Sequence, residues 1–162
     1  MFPRKSLSPE QALQKARHYC AYQERSHQEV KEKLYSFGLY KNQVEPLLSQ
    51  LIEEDYLNEE RFAIQFAGGR FRMKQWGRVK IRYELKQRQV SEYCIKKALK
   101  QLEEADYLKT LEQLARKKWA SIRGEGVNAF VKLSKTSDYL MQKGFEADLV
   151  QQALKKIRKA ED

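Results

Sequence analysis

The sequence repeats itself, and the repeat constrains the fold more than any other feature. Val30–Leu51 aligns with Ile81–Leu102 at a constant offset of 51 residues, pairing Leu34 with Leu85, Leu39 with Val90, Val44 with Ile95, Leu48 with Leu99 and Leu51 with Leu102. A third copy lies 55 residues further on, at Leu140, Phe145, Val150, Leu154 and Ile157. Repeats of about this length are supersecondary units that bury their apolar faces together. The slots read as inward positions on two helices joined by a short turn. Gly38 and Gly144 share the turn slot, where a left-handed residue closes a helix. Copy two has Gln89 there, which must take that conformation at some cost or close the turn differently.

One further helix precedes each hairpin. Ser8-Pro9-Glu10-Gln11 reads as a helix start, with Ser at the N-cap, Pro at the first position and Gln at N3. Ala12, Leu13, Ala16, Tyr19 and Cys20 follow at helical spacing. Ser26-His27-Gln28-Glu29 is a second capping box. Asn58 with Glu59 and Glu60 opens another helix, with its acids against the N-terminal dipole, and Phe62, Ala63, Phe66 and Ala67 form its apolar stripe. Ser91 opens the last helix of copy two, and copy three begins near Asp106. A longer loop at Gly124-Glu125-Gly126 accounts for the wider second offset. Sustained period-two alternation is missing, so no strand is expected. The expected fold is all-α: nine helices in three tandem three-helix repeats, at 1–56, 57–104 and 105–162, forming an elongated, curved helical array. Pro46 fits if its helix begins near Asn42. Gly68-Gly69, inside the fourth helix, reads as a close helix–helix contact or a fray, with a bend as the alternative.

Composition narrows the function. Among 162 residues, 32 Lys and Arg face 22 Asp and Glu, a net charge of +10, while Gly is 7 and Pro 3. Collagenous and low-complexity classes are excluded, and the apolar content is enough for a core. No run of about 18 apolar residues exists, so no membrane span is expected. Met1–Ser6 lacks the apolar segment of a secretory leader, so the expected location is cytoplasmic, in the cytosol or nucleoid. Cys20 and Cys94 form no Cys-x-x-Cys pair and read as buried, reduced thiols.

The charge has an address. Residues 1–56 carry 8 basic and 8 acidic side chains, residues 57–103 carry 12 and 5, and residues 104–162 carry 12 and 9. Between Arg70 and Arg88 only Glu84 opposes Arg70, Arg72, Lys74, Arg78, Lys80, Arg82, Lys86 and Arg88. A salt-bridged helix face would alternate signs. On a helix opening at Gly77, Arg78, Arg82 and Lys86 form a stripe beside the Ile81–Leu85 core side. The aligned slots hold His27, Lys31 and Tyr35 in copy one and Leu133, Ser137 and Met141 in copy three. Phe71, Trp76 and Tyr83 are interleaved with the cations, a mixture suited to stacking on single-stranded bases or to core packing. The candidate filament- or DNA-binding residues are Arg70, Arg72, Lys74, Trp76, Arg78, Arg82, Lys86 and Arg88.

An active site is not expected. His18 and His27 have no Cys or carboxylate at ligand spacing, and Gly68-Gly69 is followed by Arg70-Phe71, not by the Lys-Ser/Thr of a phosphate loop. No Gly-x-Ser-x-Gly elbow occurs, and Glu53-Glu54 and Glu59-Glu60 sit at helix ends. No catalytic residue, cofactor or metal is assigned.

The stretch from Arg17 to Leu102 resembles the RecX family, bacterial regulators of the RecA recombinase. The matching pieces are Arg25-Ser26, Glu29-Val30, Lys33-Leu34 and Gly38, then Asp55-Tyr56-Leu57-Asn58-Glu59-Glu60-Arg61-Phe62-Ala63, then Lys74-Gln75-Trp76-Gly77-Arg78 with Ile81 and Glu84-Leu85. The resemblance implies three tandem three-helix repeats in a non-enzymatic modulator of DNA repair, recombination and the SOS response. Such proteins bind RecA and its nucleoprotein filament and inhibit strand exchange and the coupled ATP hydrolysis. Many bind single-stranded or duplex DNA weakly and without sequence preference. The chain is expected to act as a monomer. It departs from the family pattern at Asn58-Glu59, Gly68-Gly69 and Gln89-Val90. Two other readings of the residues remain: a nucleic-acid-binding module acting without RecA, and a helical adaptor for another acidic protein.

Overall fold

A computed structural model describes residues 6–161; Met1–Lys5, most of the segment read for a leader, lie outside them. The described residues form nine helices and no strand: α1 (Pro9–Tyr22), α2 (His27–Ser36), α3 (Lys41–Glu53), α4 (Glu59–Lys74), α5 (Arg78–Gln87), α6 (Glu92–Lys100), α7 (Glu104–Ser121), α8 (Ala129–Gln142) and α9 (Ala147–Glu161). The array is all-α, three helices to a repeat, and among the described residues no helix is long and apolar enough to cross a membrane.

The helix starts follow the side chains that cap them. Ser8 accepts from the Gln11 N–H at 3.2 Å while Gln11 accepts from the Ser8 N–H at 3.1 Å. Ser26 and Glu29 make the same reciprocal pair. Asn58 Oδ1 caps α4 through the Arg61 N–H at 2.9 Å, and Ser91 Oγ caps α6 through the Cys94 N–H at 3.3 Å. A substitution of such a cap by Ala costs about 1 kcal/mol. α3 begins at Lys41, so Pro46 is just past its first turn and only the bond to the Asn42 carbonyl is forgone. α7 opens at Glu104, two residues before Asp106.

The residues divide into two compact units. One holds the chain up to Phe66 together with Leu85–Ala98; the other holds Ala67–Glu84 together with the chain from Leu99 onward. The helices of the middle repeat contribute to both. The first unit is built on Ala12, Ala16, Cys20, Val30, Leu34, Leu39, Val44, Leu47, Leu51 and Leu57, all buried. Arg61 binds the Glu24 carboxylate and, across the α3–α4 turn, Asp55 Oδ1 at 3.2 Å and the Asp55 carbonyl at 3.0 Å. The hydrogen bond that it donates to Glu24 holds the Arg61 guanidinium above its usual pKa. In the second unit Tyr107 is fully buried, with its ring stacked on Phe71 at 5.7 Å and tilted against Phe145 at 5.3 Å. Both thiols are free and buried, and burial pushes Cys20 up to about 11. At neutral pH it is therefore a protonated, packed side chain.

The repeat slots are core slots. Every aligned position from Leu34 to Ile157 named above is buried except Leu48, which is partly so. The turn slot is left-handed in all three copies: φ is +86° at Gly38, +60° at Gln89 and +94° at Gly144. Gln89 adopts the conformation at a cost and closes the helix with the Val90 N–H donating to the Leu85 carbonyl at 3.1 Å. Crowding explains why the other two slots hold glycine. A Cβ on Gly38 would lie 2.9 Å from the Ser6 Cα, and one on Gly144 would lie 2.2 Å from the Lys80 Cβ. Gln89 instead projects to solvent. Gly68-Gly69 is neither a close helix–helix contact nor a fray. α4 is unbroken through it, the space beside Gly68 is filled by the Arg72 guanidinium of the same helix, and Gly69 faces open space.

Two substitutions separate backbone strain from crowding. Gln89→Gly is expected to raise stability by about 0.5–1 kcal/mol, because only the φ penalty is relieved. Gly144→Ala adds that penalty to a backbone clash and is expected to cost about 2–4 kcal/mol. Urea denaturation of each variant checks both, and a Gly144→Ala midpoint equal to the parent's contradicts the crowding.

Candidate anion-binding surface

The basic segment turns a corner between α4 and α5, and the end of α8 holds that corner. Gln75, at φ +57°, ends α4. Gly77 then opens α5 with its N–H donating to the Lys143 carbonyl at 2.8 Å. The Arg78 N–H donates to the Tyr107 hydroxyl at 2.9 Å, and the Val79 N–H to the Gly144 carbonyl at 2.9 Å. The first N–H groups of a helix have no partner inside it, and three of these four are satisfied by tertiary structure. The approach demands glycine, since a Cβ on Gly77 would sit 2.3 Å from the Gly144 oxygen. Lys143 closes the other side, its Nζ donating to the Lys74 carbonyl at 2.8 Å.

Trp76 sits half-buried at this corner with three cations around its ring. Lys80 Nζ lies 4.6 Å from the ring centroid, Lys74 Nζ 5.3 Å and the Arg70 guanidinium 5.6 Å. Each contact is worth about 0.5–1 kcal/mol at an exposed site. Together they place three positive groups within 6 Å of one indole centroid. An anion with an aromatic base and flanking phosphates suits this arrangement, because stacking and phosphate neutralisation are supplied side by side.

Arg78 does a different job. Its guanidinium binds Glu104 and, at 2.8 Å, Glu146, and lies 3.8 Å from the centroid of the Tyr107 ring. The Tyr107 hydroxyl in turn donates to Glu146. Burial lowers the Arg78 pKa, but the hydrogen bond and charge of Glu146, with Glu104, outweigh it and leave the group above its ordinary value. Burial and then the bond to Glu146 push the Tyr107 phenol far up, so it stays protonated and donates. The Arg78 guanidinium is thus committed to α7 and to the start of α9.

The remaining residues of the sequence-derived set spread out. Arg72 is exposed and folds back over Gly68. Arg82 is half-exposed on α5. Lys86 and Arg88 fall in the first unit, where Lys86 Nζ lies 3.8 Å from Glu92 and Arg88 lies 4.7 Å over the Phe66 ring. The structure therefore brings Arg70, Lys74 and Trp76 together and adds Lys80 and Lys143, which were absent from the set. Lys80 had a signal, being four residues after Trp76. Lys143 had none, since it meets Lys74 only through the fold. Among the described residues no group of three His, Cys, Asp or Glu could hold a metal ion.

Comparison with known proteins bears on what this surface serves. The RecX second three-helix domain matches residues 58–99, and the RecX third three-helix domain matches residues 104–154. The regulatory protein RecX of Prosthecochloris aestuarii is 30% identical over 146 residues, covering 90% of this chain and 93% of that protein. The regulatory protein RecX of Bacillus cytotoxicus is 27% identical over 145 residues; this covers 89% of the chain but 53% of the relative, so the chain spans about half that protein's length. The crystal structure of RecX from Lactobacillus salivarius superposes with a TM-score of 0.83 at 21% identity, covering 93% of this chain and 96% of that one. At that identity the likeness is one of fold.

The two kinds of arginine can be told apart by stability. Arg78→Ala leaves Glu104, Glu146 and the Tyr107 face without their cation and is expected to cost about 1.5–3 kcal/mol. Arg72→Ala, on the surface, is expected to stay within about 0.5 kcal/mol. Equal urea midpoints for the two variants contradict the assignment.

Proposed function

Because the chain belongs to the RecX family of regulatory proteins, we propose that it is a negative regulator of the bacterial RecA recombinase. It binds RecA and the RecA–DNA filament as a monomer in the cytoplasm and inhibits strand exchange and the coupled ATP hydrolysis. The repeats at 1–56, 57–104 and 105–162 act in this proposal as successive contact modules, without a catalytic residue or cofactor.

The observation that supports a nucleoprotein partner is the Trp76 corner. Lys74, Lys80 and Arg70 converge on one half-buried indole in the most basic part of the chain. Like charges such as Lys74 and Lys80 gathered at one ring repel one another, and an anionic partner offsets that cost. A filament presents such an anion along its whole length. A bare nucleic-acid-binding role, independent of RecA, draws on the same corner and predicts a steep salt dependence on DNA alone.

Purified protein added at stoichiometric ratios is expected to suppress RecA-catalysed ATP hydrolysis and strand exchange. Lys74→Glu with Lys80→Glu is expected to raise the concentration needed for half-inhibition by about tenfold or more while keeping helicity, the equivalent of about 1.4 kcal/mol. Undiminished hydrolysis and exchange with the parent protein sinks the recombinase reading. Equal affinity for bare single strands and preformed filament across a salt series favours the RecA-independent module.

A further inference from the structure

Two adjacent glycines interrupt the interior of α4, and neither packing nor backbone conformation calls for them. Gly68 and Gly69 lie well inside the helix, between Glu59 and Lys74. Neither is among the glycines with positive φ. A Cβ on Gly69 would meet nothing within 4 Å. One on Gly68 would have the Arg72 guanidinium as its nearest neighbour at 2.7 Å, the far end of a flexible side chain of the same helix. Alanine therefore fits at both positions. A glycine inside a helix weakens it about fivefold against alanine, so the pair lowers the stability of α4 without serving a turn or a close approach.

The pair also falls where the two compact units divide. The share of α4 held by the first unit ends at Phe66, and that of the second begins at Ala67. α5 and α6 pass from one unit to the other between Glu84 and Leu85 and between Ala98 and Leu99, within their last turns. α4 passes through its interior, beside the glycines. Its two halves are tied down separately. Before the pair, Phe62, Ala63 and Phe66 are buried, Arg61 binds Glu24, Glu60 lies 3.3 Å from Lys97, and Glu59 accepts the Ser91 N–H, all within the first unit. After it, Phe71 stacks on Tyr107 and the Lys74 carbonyl accepts from Lys143, all within the second. Sharp helix bends recur at prolines and at pairs of glycine or serine.

We infer that Gly68-Gly69 is a hinge. α4 bends there reversibly, and the helical hydrogen bonds donated by the amides of Gly69 to Arg72 open while the flanks on either side stay packed. A hinge is a few residues that absorb a change in φ and ψ, and glycine absorbs it with the least steric cost. Water satisfies the backbone groups that open, because Gln65 is exposed and Gly69, one turn on, faces open space. Bending re-aims the half of α4 that leads to Trp76, and the junction of Gly77 with Gly144 moves with that half as one piece, since both belong to the second unit. The inference stands on α4 alone and needs no recombinase and no nucleic acid.

The test is amide hydrogen exchange on the full chain, resolved by residue and corrected for intrinsic rates. Protection at Gly69–Arg72 is expected to lie about tenfold or more below that at Ala63–Phe66, although Phe71 is buried. Protection that peaks at the centre of α4, as in an uninterrupted helix, overturns the inference. Gly68→Ala with Gly69→Ala is expected to close the gap, and Gly69→Ala alone, which adds a methyl group to open space, to close part of it. An equal rise at both sets of amides overturns the hinge, because it marks global stabilisation only. Spin labels carried by p-acetylphenylalanine in place of Tyr22 and Phe130, both exposed and one in each unit, read the motion itself. Their distance distribution is expected to narrow in the double alanine variant. Equal widths in parent and variant contradict the hinge.

Discussion

A helix begins with N–H groups that it cannot itself satisfy, and the start of α5 hands three of them to other parts of the chain. Lys143 and Gly144 supply carbonyls and Tyr107 supplies a hydroxyl. The arrangement works only because Gly77 and Gly144 let two backbones approach where any side chain would collide. Leaving such donors unpaired would cost about 1–3 kcal/mol each. Lys143, just past α8, also ties down the end of α4 through its ammonium. Trp76 lies between these two attachments, so the direction of its ring and the convergence of Arg70, Lys74 and Lys80 on it are consequences of a backbone junction. Arg78, fastened to Glu104 and Glu146, locks the junction from the other side.

The three repeats share a framework and differ in what they do with it. The turn slot is left-handed in each, yet glycine appears only where another segment presses on it, Ser6 against Gly38 and Lys80 against Gly144. The slot filled by Val30 and Ile81 holds Thr136 in the third repeat, fully buried with no hydrogen-bond partner for its hydroxyl among the described residues. The last helix of the repeat ends on Glu53 in the first copy and in a basic last turn in the third. Conserving core slots while altering turns, helix ends and outward stripes lets one small unit supply a neutral module, a basic corner and a charged tip.

The helical framework was legible because its signals are local. Ser8, Ser26, Asn58 and Ser91 announce helices through hydrogen bonds three residues away, and the repeat slots announce burial through spacing alone. The site was legible only in outline. The sequence showed the concentration of charge from Arg70 to Arg88, and Trp76 with Arg70 and Lys74 do meet. It could not show that Arg78 would be drawn inward, because its partners lie 26 and 68 residues away. Nor could it show that Gly77 answers Gly144, a contact made between two turns in different repeats. Gly68-Gly69 misled for the opposite reason: the space beside Gly68 is claimed by Arg72, four residues on in the same helix, not by a neighbouring one.

The central claim is that tertiary capping of α5 fixes the corner that carries Trp76. Amide hydrogen exchange at Gly77, Arg78 and Val79 tests it most directly. Bonded to Lys143, Tyr107 and Gly144, these three amides should exchange as slowly as the interior amide of Ile81. Exchange as fast as that of Glu125, in the exposed α7–α8 loop, would show an α5 start that frays into solvent and would contradict the account.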